Sequence, residues 1–461
     1  MIGRSDLPHE QIINDKGWVS HDPEEIYANS IRVLQTLLLE NDIPLDSVTA
    51  LGISNQRETS VAWNRKTGKP LDNAIVWQCT RSHEICEELS EHADEIRRRT
   101  GLRLSPYFPA SKFAWLMRNN DPVSPEELCL GTIDAWLVFR MTNGKSFATD
   151  YSNASRTQLL NLQTLTWDPE ICSWFGIDPR SLPEIRFSDS CFGMTDLEGF
   201  LPAPIPIHGV LGDSHAALFA QGCLSPGMVK STYGTGSSVM MNIGTSPVYT
   251  SDALVTSLAW GMDNQVTYVL EGNINYTGSV IKWLVDDMKL LDASKNAGIL
   301  ASEADPADRT YIVPAFTGLG APYWNDSVRA MFYGMSRTTG QKEIIRAGEE
   351  CIVYQICDVL DIMQQESGIA IRELRVDGGP TRDTFLMQFQ SDILNLPVRV
   401  PEKAELSGIG AGYCAGIGTG FYPKDIMMQG TQKEYLPRMS EETRNEKTAG
   451  WHEAIRVLLG K

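Results

Sequence analysis

The stretch "VLGDSHAALF" (Val210–Phe219) sets an aspartate between a glycine and a run of small residues. The apolar run "PIPIHGVL" precedes it and a helix-like run follows, so Asp213 falls where a strand ends and a helix begins. A carboxylate at such a junction has two uses. It can cap the helix, which contributes about 1 kcal/mol, or it can stand in a cleft as a general base. Position alone favours the cap. His215 is a second candidate base, although a first-turn histidine is more often packed or solvated.

Other segments offer complementary chemistry. "NQRET" puts Arg57 and Glu58 in a turn between two strand-like runs, and strand alternation sends one of them inward. A charge placed inward needs a partner or a ligand. The pair is therefore an ion pair at a hairpin or a polar clamp for hydroxyl groups. Trp77 in "VWQCTRS" and Tyr151 in "TDYSNASRT" carry faces suited to an aliphatic or polyol backbone, with core packing the commoner use of both. Two glycine turns, "TYGTG" (Thr232–Gly236) and "VDGGPTRD" (Val376–Asp383), could bring backbone N–H groups close to phosphate. Neither matches the G-x-x-x-x-G-K-[ST] loop, and neither gives G-x-G-x-x-G in a βαβ unit.

The elements that must position these residues alternate between strand and helix, which predicts an α/β architecture. "HDPEEIYANSIRVLQTLLLEN" predicts an amphipathic helix with Asp22 as N-cap, Pro23 at the first position and Tyr27, Ile31, Leu34 and Leu38 on one face. "VTALGIS" and "TSVAWN" predict strands on either side of "NQRE". A break at "CLSPG" divides the chain into residues 1–222 and 223–461. The second part opens with new strands and contains a long helix over Gln341–Ser367, with Ile352, Ile356, Leu360 and Met363 on one face. "LRVDGG" predicts a strand ending in a glycine turn and "TFLMQFQSDIL" the helix after it. "LSGIGAGYCAGIGTGF" predicts a helix packed closely on its neighbours, because each interior glycine costs about 1 kcal/mol against alanine.

Composition narrows the partners. The 461 residues are 42% hydrophobic and 21% charged, with a net charge of -18. That is globular composition with enough chain for two cores. So acidic a surface disfavours nucleic acid and anionic membranes. Nine scattered cysteines without a C-x-x-C pair suit a reduced, cytoplasmic protein. No apolar run reaches the 18 residues of a membrane span.

Taken together, "GWVSHDPEEI", "GISNQRETSVAW", "AIVWQCTRS", "TDYSNASRT", "GDSHAALFAQ", "STYGTG", "VPAFTGLGAPYW", "LRVDGG" and "FLMQFQSDIL" resemble the FGGY carbohydrate kinase family, in family order over nearly the whole chain. The resemblance implies two actin-like (ribonuclease H-like) ATPase domains with an active-site cleft between them, the first binding a polyol and the second the nucleotide. It implies ATP-dependent phosphorylation of a small-molecule polyol, with glycerol to glycerol 3-phosphate the leading case, ATP and Mg²⁺ as co-substrates, and pairing into homodimers or homotetramers. By the same resemblance Asp213 is the general base and reaches Mg²⁺ through water. Arg57, Glu58 and Tyr151 bind hydroxyls, with Trp77 against the carbon chain. Thr235, Gly278, Lys282, Gly379 and Asp383 contact the nucleotide.

Two departures from the family pattern carry expectations of their own. The family opens with a strand, a D-x-G-T-T-S phosphate loop and a second strand ahead of the segment matching "GWVSHDP". Nothing in "MIGRSDLPHEQ" supplies them, so the resemblance implies an N-terminally truncated member, poorly active or a relic. Ser214 and Ser238 replace larger residues of the family's substrate pocket, which implies a roomier site that would accept a longer polyol or a ketose.

Overall fold

Asp22 opens the first helix as its sequence predicts. In the computed structural model, which describes residues 2–250 and 253–460 and leaves Met1, Ser251, Asp252 and Lys461 outside, α1 spans Pro23–Glu40. The Asp22 side chain accepts from the Glu24 N–H, Pro23 occupies the first turn, and Tyr27, Ile31 and Leu38 are buried.

The next two strands, β1 (Leu51–Asn55) and β2 (Ser60–Asn64), are where they are expected, but they do not form a hairpin. β2 pairs antiparallel with β3 (Leu128–Thr132) in a five-stranded sheet. β1 pairs in parallel with β4 (Ile205–Gly212) in a three-stranded sheet, with Asn55 opposite Gly212. The four residues between β1 and β2 therefore carry the chain from one sheet to the other. Glu58 takes a left-handed backbone there (φ 59°), and the Thr59 N–H closes a tight turn on the Arg57 carbonyl at 2.7 Å.

The second half is built on one seven-stranded sheet. Its strands are β5 (Met228–Tyr233), β6 (Ser237–Gly244), β7 (Val255–Met262), β8 (Gln265–Ile274), β9 (Glu373–Gly378), β10 (Val398–Pro401) and β11 (Gln432–Tyr435), in the spatial order β7-β8-β6-β5-β9-β10-β11. β5 and β9 are parallel neighbours, with Tyr233 opposite Gly378. Because parallel strands end at the same edge, the two glycine turns singled out in the sequence emerge side by side. In open sheets of this kind ligands bind at the carboxyl ends of the strands.

Helices complete the frame. α2 (Pro109–Asn119), α3 (Tyr151–Ala154) and α4 (Asp213–Ala220) belong to the first half. α5 (Gly278–Asp286), α6 (Gln341–Ser367), α7 (Thr384–Leu394) and α8 (Leu406–Gly418) belong to the second. On α6, Ile352, Ile356, Leu360 and Met363 are all buried, as their spacing predicts. The glycine-rich α8 crosses back onto the first half. A side chain at Gly410 would overlap the Ala216 carbonyl of α4, and one at Gly52 of β1 would lie 2.5 Å from the Ala411 carbonyl. Backbone thus meets backbone on both faces, which fixes α4, and Asp213 at its start, between the two halves.

Candidate active site

Asp213 does not cap α4. It is the first helical residue, the N-cap is Gly212, and Gly212 makes no side-chain cap hydrogen bond. The capping alternative of the sequence is therefore set aside. Besides the N–H of adjacent Ser214, the partner of its carboxylate is Arg57, whose Nε lies 3.3 Å from Oδ1. The Asp213 side chain is 45% exposed, whereas that of Arg57 is 7% exposed, so the carboxylate faces open space from a buried guanidinium. His215 points the other way. It is fully buried, its Nδ1 has no partner, and burial, reinforced by Arg57, pushes its imidazole well below the usual range. A neutral histidine so enclosed is core.

Arg57 belongs to a buried network. Its Nη1 and Nη2 donate to the two carboxylate oxygens of Glu271, in β8, at 2.8 and 3.0 Å. Arg156 donates from Nε to Glu58 at 2.6 Å and places Nη1 3.1 Å from Glu271. Two carboxylates and two guanidiniums so balance each other beneath the cleft. Burial opposes the charge on Glu271, but Arg156 and Arg57 outweigh it and hold the carboxyl well below its usual range. Arg57 and Glu58 were expected to bind hydroxyls directly. In this structure Arg57 bonds Glu271 and Asp213, Glu58 bonds Arg156, and Arg156 and Glu271 line the aromatic cavity. No local pattern flags these two, although a glutamate inside the apolar strand "VTYVLEGN" is a signal in itself.

Three cavities bear on the site: one is lined by Arg156 and Glu271 of this network, one by Asp213, and the third shares Gly379 and Arg382 with the second. The first, about 330 Å³, is lined by Arg156, Glu271, Asn273, Trp77, Tyr107 and Trp324, among others. The rings of Trp77 and Tyr107 are tilted against each other with centroids 5.7 Å apart. Tyr151 is not brought there. Its ring packs on Phe187 at 5.3 Å and over Gly261. Asp150 caps α3 through the Ser152 and Asn153 N–H groups. Ser152 then accepts from the Gly212 N–H and Asn153 bonds Asn55, which leaves Tyr151 on the other side. Tyr107, from "SPYF", is the tyrosine of this cavity.

The second cavity, about 800 Å³, holds Asp213, Ser214, Lys230, Thr232, Asp377, Gly379 and Arg382. Lys230 is buried, and burial pulls its ammonium below the usual lysine range against the opposing pull of Asp377. Ser214 thus lies on this side of Asp213, away from the aromatic cavity. Ser238 lines neither cavity. It sits on β6 opposite Asn273, with its hydroxyl buried and unpartnered.

The third cavity, about 450 Å³, gathers Thr235, Gly278, Lys282, Gly379 and Asp383. All five expected nucleotide contacts share it, and Gly379 and Arg382 also line the second cavity. The start of α5 is tied to the "TYGTG" turn: the Gly278 N–H donates to the Gly234 carbonyl at 3.0 Å and the Ser279 N–H to the Thr235 carbonyl at 3.1 Å. These helix N–H groups are satisfied within the protein, so an anion here would be met by the turn itself. Lys282 is exposed and pairs with Asp286 one turn on. Asp383 caps α7 through the Phe385 and Leu386 N–H groups and accepts from Gly298 at 2.9 Å.

Glu349, on α6, lines the same cavity and was not anticipated. Its Oε2 is buried without a partner, and burial, helped by Asp383, pushes its carboxyl well above the usual range. An unpartnered buried polar atom costs about 1–3 kcal/mol. Glu349→Leu is therefore expected to raise the midpoint of thermal unfolding. A lower midpoint would show that this carboxyl is bonded.

A carboxylate exposed in a cleft, with glycine turns at the edge of a sheet beside it, is an arrangement that suits phosphoryl transfer. Residues 1–220 match the N-terminal domain, and residues 229–419 the C-terminal domain, of the FGGY family of carbohydrate kinases. The chain belongs to that family. It is 43% identical over 453 residues to a glycerol kinase of Bacillus velezensis, covering 96% of this chain and 91% of that one. It is 42% identical over 459 residues to a glycerol kinase of Xanthomonas campestris, covering 98% and 92%. Among solved structures, a Plasmodium falciparum glycerol kinase with ADP superposes at a TM-score of 0.92 and 34% identity, covering 98% of this chain and 92% of that one. A ligand-bound xylulose kinase of Lactobacillus acidophilus shares the fold at 0.87 and 20% identity.

Proposed function

We propose that this protein transfers the terminal phosphoryl group of ATP to a hydroxyl of glycerol, giving glycerol 3-phosphate and ADP. The observation that carries the reading is the placement of Asp213, an exposed carboxylate that lines the phosphate-side cavity and is held by Arg57, whose other partner, Glu271, lines the aromatic cavity. The Xanthomonas campestris and Bacillus velezensis relatives are glycerol kinases at over 40% identity. The division of labour follows the cavities: residues 1–222 supply most of the polyol side and residues 223–461 the nucleotide side.

Each group has a task. Trp77 and Tyr107 present flat faces to the carbon chain, while Arg156, Glu271 and Asn273 offer hydrogen bonds to its hydroxyls. Asp213 accepts the proton of the attacking hydroxyl as the phosphoryl group arrives. Phosphoryl transfer needs little covalent help, so positioning and charge neutralisation dominate. Lys230 brings a cation to the phosphates, and the backbone at Thr235 and Gly379 brings N–H groups. Mg²⁺ suits these residues. Asp213 and Asp377 line one cavity, and no group of three ligating side chains exists among the described residues. This fits an ion held by one or two carboxylates, waters and phosphates. When bound, it neutralises phosphate charge. The nine free thiols fit a cytoplasmic enzyme, and among the described residues no helix is long and apolar enough to cross a membrane.

A second reading, a longer polyol or a ketose, is favoured by the aromatic cavity. Its 330 Å³ equals roughly eleven waters at about 30 Å³ each, against the six heavy atoms of glycerol. A coupled ADP-release assay over glycerol, erythritol, xylitol and pentuloses separates the two. Glycerol is expected to give the highest kcat/KM. A tenfold better value with another acceptor would move the assignment to it, and the absence of acceptor-dependent ADP release would remove the kinase reading.

A further inference from the structure

Lys112 lies on α2 with none of its surface exposed. Its Nζ donates to three main-chain carbonyls: Tyr107 at 2.5 Å, Trp77 at 3.2 Å and Glu58 at 3.5 Å. An ammonium has three protons and no acceptor, so three carbonyls match it fully. The carbonyls come from three separate segments. Glu58 is in the crossing from β1 to β2, Trp77 follows the short strand Ala74–Ile75, and Tyr107 precedes α2. The side chains on the same three residues are two aromatic walls of the 330 Å³ cavity and the carboxylate that holds Arg156 against it.

We infer that Lys112 is a positioning residue for the acceptor site: its ammonium fixes the backbone that aims Trp77, Tyr107 and Glu58, and through them sets the affinity for the polyol. The inference rests on the acceptor reading given above. Lys112 lines none of the three cavities described, and its three acceptors all belong to segments of the aromatic side, so its effect falls on the polyol and not on ATP. The groups around the ammonium are Glu58, Cys79 and Cys86, which favour its charge, and Arg81, which opposes it. Burial pushes it down to about 7. A neutral amine has two protons for three carbonyls, so the site loosens as pH rises through that value.

The test compares the full-length wild type with Lys112→Met in the coupled assay at pH 6.5. The glycerol KM is expected to rise at least tenfold while kcat and the ATP KM stay within threefold. That split is one that general destabilisation would not produce. An unchanged glycerol KM, or an ATP KM rising by the same factor, overturns the inference. Should Lys112→Met fail to fold, the wild type supplies the second arm. Its glycerol KM is expected to rise at least threefold between pH 6.5 and 8.5 with the ATP KM steady, and a flat glycerol KM decides against the inference. Glycerol-independent ADP release by the wild type would defeat the acceptor reading and this inference with it, whereas failure of the variant alone defeats only this one.

Discussion

Asp213→Asn is expected to lower kcat by about 10²–10⁴-fold, the usual contribution of a general base, and to leave thermal stability within about 0.5 kcal/mol. The two halves of this expectation come from one observation. Asp213 is the first residue of α4 and bonds no helix N–H beyond that of its own neighbour, so the asparagine removes no cap. Its contact with Arg57 is half-exposed on the carboxylate side, and such pairs contribute little to stability. The amide keeps the shape and loses the ability to accept a proton. The glycerol and ATP KM values should therefore stay near those of the wild type. A variant that unfolds earlier but keeps its specific activity would restore the capping role and take the base away.

Arg57→Met should damage both stability and chemistry. The guanidinium ties Glu271 from β8 to Asp213 at the start of α4, and so links the two halves of the molecule. Removing one member of a buried charge network leaves its partners uncompensated, at a cost of about 3–5 kcal/mol. Glu271 would keep only Arg156. The base would lose the contact that aims it, and a misplacement of about 1 Å can cost roughly 10²-fold in rate. The expected result is a lower unfolding midpoint together with a kcat reduced about 10²-fold, and an ATP KM little changed because Thr235, Gly278 and Gly379 stand apart from the network. Steady-state kinetics and a melting curve on the same preparation check both. Near-normal kcat would mean that Arg57 serves the fold alone.

Local pattern made much of the frame legible. α6 and α7 have the bounds their sequences suggest, and the two glycine turns that stand out in the sequence lie at the ends of neighbouring strands, β5 and β9. Pattern failed where the determinant is distant in sequence. The "NQRE" segment has the length of a hairpin loop, yet β1 finds its partner in β4 and β2 in β3, about 150 and 70 residues on. Arg156 and Glu271 are 115 residues apart, and nothing in either neighbourhood names the other. The sequence points to Tyr151 as an aromatic wall, and nothing local to Tyr107 marks it for that place. The cap at Asp150 and the inward turn of Ser152 and Asn153 decide between them, and the partners of that turn, Gly212 and Asn55, lie on strands distant in sequence.

The central claim is that phosphate passes from ATP to a polyol hydroxyl under the carboxylate of Asp213. It is tested most directly by following ATP and glycerol with the wild type by phosphorus NMR. The account predicts a phosphomonoester signal that grows in step with ADP, depends on glycerol, and is lost in Asp213→Asn. ADP formed with inorganic phosphate and no phosphomonoester, or a phosphomonoester formed equally well by the variant, would contradict it.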